Sequence, residues 1–217
     1  MTMLSRVLSV FPAFVMMVNI GAFAYFCSHP GMMSAIALLL SLYGVPPLVY
    51  RLHAWRYPIS DGISYLLDAT YSPWWGSHQI QVIYIAFPML ETIVRMIPGA
   101  FSLWLRLWGA SIGRQVYWTP GLEIADRGLL TVGDRAVFGH QVGLYAHVIK
   151  PKKNNLMLYV KPIIIGSDTF IGAGTRMGPG VVIDDNSYVP AKTDLYPSQH
   201  VSASPPIPSG DNHECAH

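Results

Sequence analysis

Residues 162–193 read PIIIGSDTFIGAGTRMGPGVVIDDNSYVPAKT. An apolar side chain recurs every six positions, at Ile165, Ile171, Met177, Ile183 and Val189. The residues that follow them are Gly166, Gly172, Gly178, Asp184 and Pro190, and four places after each comes a small or β-branched residue: Thr169, Thr175, Val181, Ser187 and Thr193. A period of six matches neither a helix nor a freely alternating strand. It is one flat side of a triangular coil, and three sides close a turn of roughly 18 residues. The large side chain points inward, the small one sits near the corner, and glycine relieves crowding there. Stacked coils pair their strands and bury a continuous core.

The pattern extends towards the N-terminus. Val132-Gly133 is followed at plus four by Ala136, Phe138-Gly139 by Val142, and Leu144 by Val148. Ile112-Gly113 with Val116 begins the series, and Ile124-Ala125 fits it loosely. A slip of two residues precedes Val132. A longer, irregular break containing Lys150 to Tyr159 separates Leu144 from Ile165. Residues 112–193 thus predict roughly four coils, a short prism with open ends that needs capping and partners. After Thr193 the pattern fades.

The rest of the chain is different in kind. Of its 217 residues 12% are charged and 52% hydrophobic, against about 25% charged in ordinary soluble domains. This excludes a disordered chain, a basic nucleic-acid-binding domain and a disulfide scaffold. Cys27 and Cys215 lie at opposite ends of the chain, which predicts reduced thiols. Residues 1–50 hold a single charged side chain, Arg6. Val7 to Cys27 is an uncharged run long enough to span a bilayer, and Met32 to Tyr50 is a second. Pro46-Pro47 predicts a kink or an exit at the interface. Arg6 precedes the first run, and Arg51, His53 and Arg56 follow the second, while the connector 28–31 carries no such charge. The positive-inside rule then puts both ends of a transmembrane helical hairpin in the cytoplasm. In residues 57–110, Glu91 and Arg95 are spaced i, i+4, and AFSLWLRLW from Ala100 mixes tryptophan with Arg106. These features predict interfacial helices at headgroup level.

The hexads, entered through Leu105-Arg-Leu-Trp-Gly-Ala-Ser-Ile-Gly113, resemble the hexapeptide-repeat acyltransferases over residues 112–193. The resemblance implies a left-handed parallel β-helix, a homotrimer, and acyl-CoA or acyl-carrier protein lying between two prisms as acyl donor. It also implies a histidine base, with no metal and no covalent enzyme intermediate. The order of parts looks most like the membrane-associated members. The expected plan is a transmembrane hairpin over 1–56, amphipathic interfacial helices over 57–110, the β-helix over 111–195 and a flexible tail over 196–217.

Only His140 and His147, of eight histidines, lie inside the repeat. His147 sits at a corner before the long break, and Leu144-Tyr-Ala-His147 looks like the family's histidine run. The resemblance therefore makes His147 the general base, a role that suits imidazole at cytosolic pH. Asp126 lies 21 residues earlier, one coil plus the slip, so it is expected to stack below His147 and orient it. Asp168 is a rival from the coil above. Gln141 falls one hexad before His147, where related enzymes place a polar contact to the acceptor; His140 beside it is the alternative contact or the alternative base. Lys150, Lys152 and Lys153 are candidates for donor phosphates. Gly172 and Gly174 are candidates for a close approach of the pantetheine arm. A three-histidine metal site would require His78 or the tail to fold back on the coils.

These features predict a membrane-bound acyltransferase of the inner membrane with its β-helix in the cytoplasm. It would carry an acyl group from acyl-CoA or acyl-carrier protein to a hydroxyl or amine of a membrane lipid or lipid-linked sugar. A non-catalytic trimeric membrane scaffold built on a decayed prism is the alternative.

Overall fold

A computed structural model describes residues 2–203. The chain opens with helices α1 (Met3–Ser9) and α2 (Phe11–Ser28), a tight turn, and α3 (Met32–Leu39). A π-helical turn, Leu40–Gly44, leads into α4 (Val45–Arg56). Pro46 and Pro47 sit in the first turn of α4, where missing N–H groups cost least. The helix therefore runs on past these prolines, and the widened turn before them takes up the misfit. Met3–Ser28 and Met32–Arg56 are each long and apolar enough to cross a bilayer. Their side chains are largely exposed, Ile20 by 69% and Leu48 by 60%. Between them Ser41 Oγ donates to Asn19 Oδ1 at 2.9 Å.

Strand β1 (Gly62–Tyr65) interrupts the region expected to be helical, followed by α5 (Pro73–Ala86), α6 (Met89–Arg95) and α7 (Ala100–Leu107). Trp104 and Trp108 are 3% and 0% exposed. They are interior residues that close the base of the prism, not headgroup-level side chains. Met89, Ile93, Met96, Leu103 and Leu107 face outward from α6, α7 and the turn between them.

The prism follows. Its strands are β2 (Ser111–Ile112), β3 (Tyr117–Trp118), β4 (Glu123–Ile124), β5 (Leu130–Val132), β6 (Val137–Phe138) and β7 (Gly143–Leu144). After an excursion come β10 (Ile163–Ile165), β11 (Phe170–Ile171), β12 (Arg176–Met177), β13 (Val182–Ile183), β14 (Tyr188–Val189), β15 (Asp194–Leu195) and β16 (His200–Val201). They form three parallel sheets, ordered β2-β5-β10-β13-β16, β3-β6-β11-β14 and β4-β7-β12-β15. The chain thus makes four triangular turns and starts a fifth. Ile165, Ile171, Met177 and Ile183 are at most 1% exposed. Trp118 supplies the inward position missing from the sequence pattern and stacks on Phe138 with centroids 4.6 Å apart. The pattern also outlasts Thr193: Leu195 is buried and β16 pairs with β13. The last part of the expected tail, 204–217, lies outside the described residues.

Corners have a rule of their own. Except after Ile124 and Leu144, the residue three places after each inward side chain up to Leu195 has positive φ, as at Gln115, Arg135, Gln141, Asp168, Asn186, Lys192 and Ser198, or is a glycine such as Gly174. The glycine just after the inward residue answers a different need: a Cβ on Gly172 would stand 2.3 Å from the backbone nitrogen of Ala191 in the next coil.

The excursion between β7 and β10 is not irregular. It is a hairpin of β8 (His147–Lys152) and β9 (Asn155–Val160), and β1 adds antiparallel to β9. One hydrophobic core runs from Val15 and Tyr50 through α5 and α7 to Leu195.

Replacing the inward Ile171 by alanine is expected to destabilise the protein by about 2–5 kcal/mol, from lost burial plus a cavity. Replacing Ile164, on the outer face and 44% exposed, should change stability by about 0.5 kcal/mol or less. Urea unfolding of the detergent-solubilised protein followed by circular dichroism compares the two.

Candidate active site

Two corners do not turn. Arg127 follows Ile124 and His147 follows Leu144 by the same three places, and neither has positive φ. At Arg127 the chain makes a 3₁₀ turn, Arg127–Leu129, beneath the prism. At His147 it leaves as the hairpin. β4 and β7 are paired neighbours, so both departures occur at one corner, one above the other.

That stacking brings Asp126 under His147. The His147 Nδ1–H donates to Asp126 Oδ2 at 2.6 Å, and Trp74 Nε1 donates to Asp126 Oδ1 at 2.9 Å. Asp126 is 2% exposed. With its carboxylate held by two donors, the imidazole presents Nε2 as the free basic atom. Asp126 is fixed further by the next residue, whose backbone N–H donates to Gln81 Oε1 at 2.7 Å. His147 opens into a cleft of about 520 Å³ lined by Tyr145, Val148, Met177, Pro179 and Tyr196 among others. Burial and the 2.8 Å bond to Glu123 push the Tyr145 phenol up to about 12, so it acts as a neutral hydroxyl.

Helix α5 contributes what the repeat does not. The Trp74 ring lies 4.4 Å from His147, and His78 stacks on Trp74 at 4.9 Å. His78 also meets His147 edge to face at 5.4 Å. Its Nδ1 is buried with no hydrogen-bond partner among the described residues. Burial lowers the His78 pKa from 6.5; Asp126 pulls it back up, while His147 and Arg127 push it further down. His78, Asp126 and His147 each offer one prospective metal-ligating atom, all within 4.8 Å of one another. The exception left open by the sequence, His78 folding back on the coils, is therefore met.

The other sequence candidates fall elsewhere. His140 and Gln141 share the neighbouring corner: the His140 Nδ1 bonds the Pro120 carbonyl at 2.7 Å, and Gln141 is an exposed left-handed corner residue. Gly174 stacks there too, its N–H on the His140 carbonyl at 2.8 Å. Asp168 lies at the third corner, paired with Arg135 at 2.6 Å. Lys150, Lys152 and Lys153 are exposed along the hairpin and line no part of the cleft. Trp74 was not singled out by sequence, and His78 only as a histidine that would have to fold back on the coils. Their i, i+4 spacing on one helix face was the available signal, but nothing local says which face meets the coils.

No family model matches the chain. A protein of Escherichia coli K12 named as a candidate colanic acid biosynthesis acetyltransferase, WcaF, is 30% identical over 131 residues, covering 49% of this chain and 72% of its own length. Galactoside O-acetyltransferase of the same organism is 35% identical over 83 residues, covering 37% and 41%. Among solved structures, a maltose O-acetyltransferase from Clostridium difficile 630 is 17% identical, covers 57% of this chain and 83% of its own, and gives a TM-score of 0.40.

Neutral His78 has a measurable consequence. The unfolded chain takes up a proton near pH 6.5 and the folded chain resists it. The stability contributed by neutral His78 is complete above that value and is lost as the pH falls below it. His78→Gln should therefore narrow the difference in Tm between pH 7.5 and pH 5.5, as measured by thermal unfolding of both proteins.

Proposed function

Since the chain belongs to the hexapeptide-repeat acetyltransferases and is an acyltransferase of that type, we propose that it works at the membrane. It moves an acyl group, acetyl or longer, from acyl-CoA or acyl-carrier protein to a hydroxyl or amine of a lipid or lipid-linked sugar. The observation that carries this reading is the 2.6 Å contact between His147 and a buried Asp126 at the edge of the cleft.

In this mechanism the unprotonated Nε2 of His147 takes the proton from the acceptor. The acceptor oxygen or nitrogen then bonds to the thioester carbonyl carbon. As the tetrahedral intermediate collapses, the carbon–sulfur bond breaks and the proton on Nε2 passes to the leaving thiolate. Asp126 keeps Nδ1 protonated and stabilises the transient imidazolium. Trp74 holds the carboxylate still, so the base does not have to reorganise during proton transfer. The donor occupies the cleft along Met177, Pro179 and Tyr196. In a homotrimer, His140 or Gln141 of the partner subunit supplies a polar contact to the acceptor, and the lysines of the hairpin meet donor phosphates.

The two long apolar helices support the anchor. Their exposed side chains suit lipid, and Arg6 and Arg56 mark the ends that stay in the cytoplasm. The base of the prism, closed by α5 and α7, then lies near the bilayer. An acceptor carried by the membrane reaches the dyad without leaving it.

With purified protein and labelled acetyl-CoA, His147→Ala should lower kcat by about 10²–10⁴-fold, the usual worth of a general base. Asp126→Asn should also lower kcat, through the wrong tautomer. Dialysis against EDTA should leave the rate unchanged. Full activity in His147→Ala would remove the base assignment. Activity lost to EDTA and restored by zinc would replace it with a metal held by His78, Asp126 and His147.

A further inference from the structure

The mechanism leaves His78 without a task. Helix α5 sets it one turn beyond Trp74, whose ring lies against both His78 and His147. Among the described residues no hydrogen bond reaches either ring nitrogen of His78. Its Nδ1 is fully buried in that state, while Nε2 stays accessible on a half-buried ring. Polar atoms in such places normally have a partner. What stands beside this one is the dyad: one prospective ligand atom from each of His78, Asp126 and His147 lies within 4.8 Å of the others.

Two imidazoles and a carboxylate are a donor set for a divalent ion of the zinc type. The surroundings suit such an ion. Trp74 Nε1 holds Asp126 Oδ1 at 2.9 Å, the kind of outer contact that orients a ligating carboxylate, and leaves Oδ2 to the ion. Arg127, the next residue, is paired with Glu91 at 2.6 Å, so its charge is met elsewhere. The His147 side chain is 18% exposed and borders the cleft, and with His78 Nε2 accessible two of the three ligands are open to an arriving ion. Ligands of a tetrahedral zinc stand about 3.3 Å apart, with bonds of about 2.0–2.1 Å. His147 Nδ1 and Asp126 Oδ2 are now 2.6 Å apart with a proton between them. A small separation of that pair and a ring rotation of His78 complete the site.

The consequence falls on the base. The ion takes the place of the proton on Nδ1, so that Nδ1 and Oδ2 become its ligands. The displaced proton passes through solvent to Nε2, and the ring stays neutral with its single proton on the other nitrogen. His147 then has no free basic atom to turn towards the acceptor.

We propose that His78, Asp126 and His147 form a zinc-type metal site whose ion switches acyl transfer off by capturing the base. The proposal rests on the reading of His147 as general base and adds a regulation of that site; the metal-free protein is the active form.

The test uses the full chain in detergent, freed of metal by dialysis against EDTA, with zinc ion as the probe. His213, Cys215 and His217 are zinc ligands by residue type, so every protein compared carries Cys215→Ser and His217→Gln. Competition with a chromophoric chelator reads zinc affinity, and labelled acetyl-CoA reads turnover. Zinc should bind and lower the rate by at least about tenfold, because a general base is worth at least that, and EDTA should restore it. His78→Gln should weaken zinc binding by at least about tenfold, a loss that even an outer contact of a metal site brings. It should also lift the inhibition, judged against the variant's own zinc-free rate. His78→Glu, the same shape as His78→Gln but with a ligating carboxylate, should keep both, which a merely structural role of His78 would not produce. Cobalt in place of zinc should give the visible absorption of a four-coordinate site, lost in His78→Gln. Equal zinc affinity in His78→Gln and His78→Glu would overturn the proposal, as would zinc bound at full turnover. Zinc-free turnover abolished by His147→Ala, without zinc binding that depends on His78, would keep the base and remove the metal site. Zinc binding that depends on His78, beside zinc-free turnover untouched by His147→Ala, would keep the metal site and remove the base together with the switch.

Discussion

Each completed corner of the prism rests on one backbone constraint: the residue three places after the inward side chain must adopt the left-handed conformation. For a residue with a Cβ this costs about 1–2 kcal/mol. The coil below offsets it. The amides of Arg135, Asp168, Asn186 and Lys192 each donate to a carbonyl of the preceding coil at 2.8–2.9 Å, so a corner is stable only when stacked. The consequence for function lies in the two places where the constraint is dropped. At Arg127 and His147 the chain is released from the coil, once beneath the prism and once as a hairpin, and both releases fall on the same corner. The dyad is built there because there the chain is free to place side chains that a turn would not hold.

The helical layer completes what the coils begin. An open prism end would expose Ile112, Ile124 and Leu130 to water; α5 and α7 cover it with Ile80, Tyr84, Trp104, Leu105 and Trp108. The same layer carries charge inward, since Glu91 from α6 meets Arg127 from the prism at 2.6 Å. Burying ions at such a junction gains little net stability. It does fix the turn next to Asp126. Rigidity of the His147–Asp126 pair thus depends on the helices as much as on the repeat, and Trp74 extends that dependence to the carboxylate itself.

The hexads between Ile165 and Val189 were legible because each inward position carries the same kind of side chain at the same spacing. Trp118 was missed because it is aromatic and only half enclosed. Leu195 and Val201 were missed because Gln199 and Pro205, four places after them, are neither small nor β-branched. The hairpin after His147 read as irregular because its partner β1 lies almost a hundred residues earlier. The dyad partners could be matched by counting one coil plus a slip. The contribution of α5 could not be counted: the spacing from Trp74 to Asp126 follows no period.

By itself the sequence determined the periodic part: the triangular coil, its inward residues, the corner that holds His147 and Asp126, and two apolar stretches long enough to span a bilayer. Periodicity is local, and each hexad repeats the same few contacts with the coils above and below. Only the tertiary structure decided which helix closes the base, that Trp74 and His78 surround the dyad, and that Arg95 and Arg127 share a single carboxylate, Glu91. Those contacts join segments with no common repeat. They follow from which faces pack together when the whole core closes.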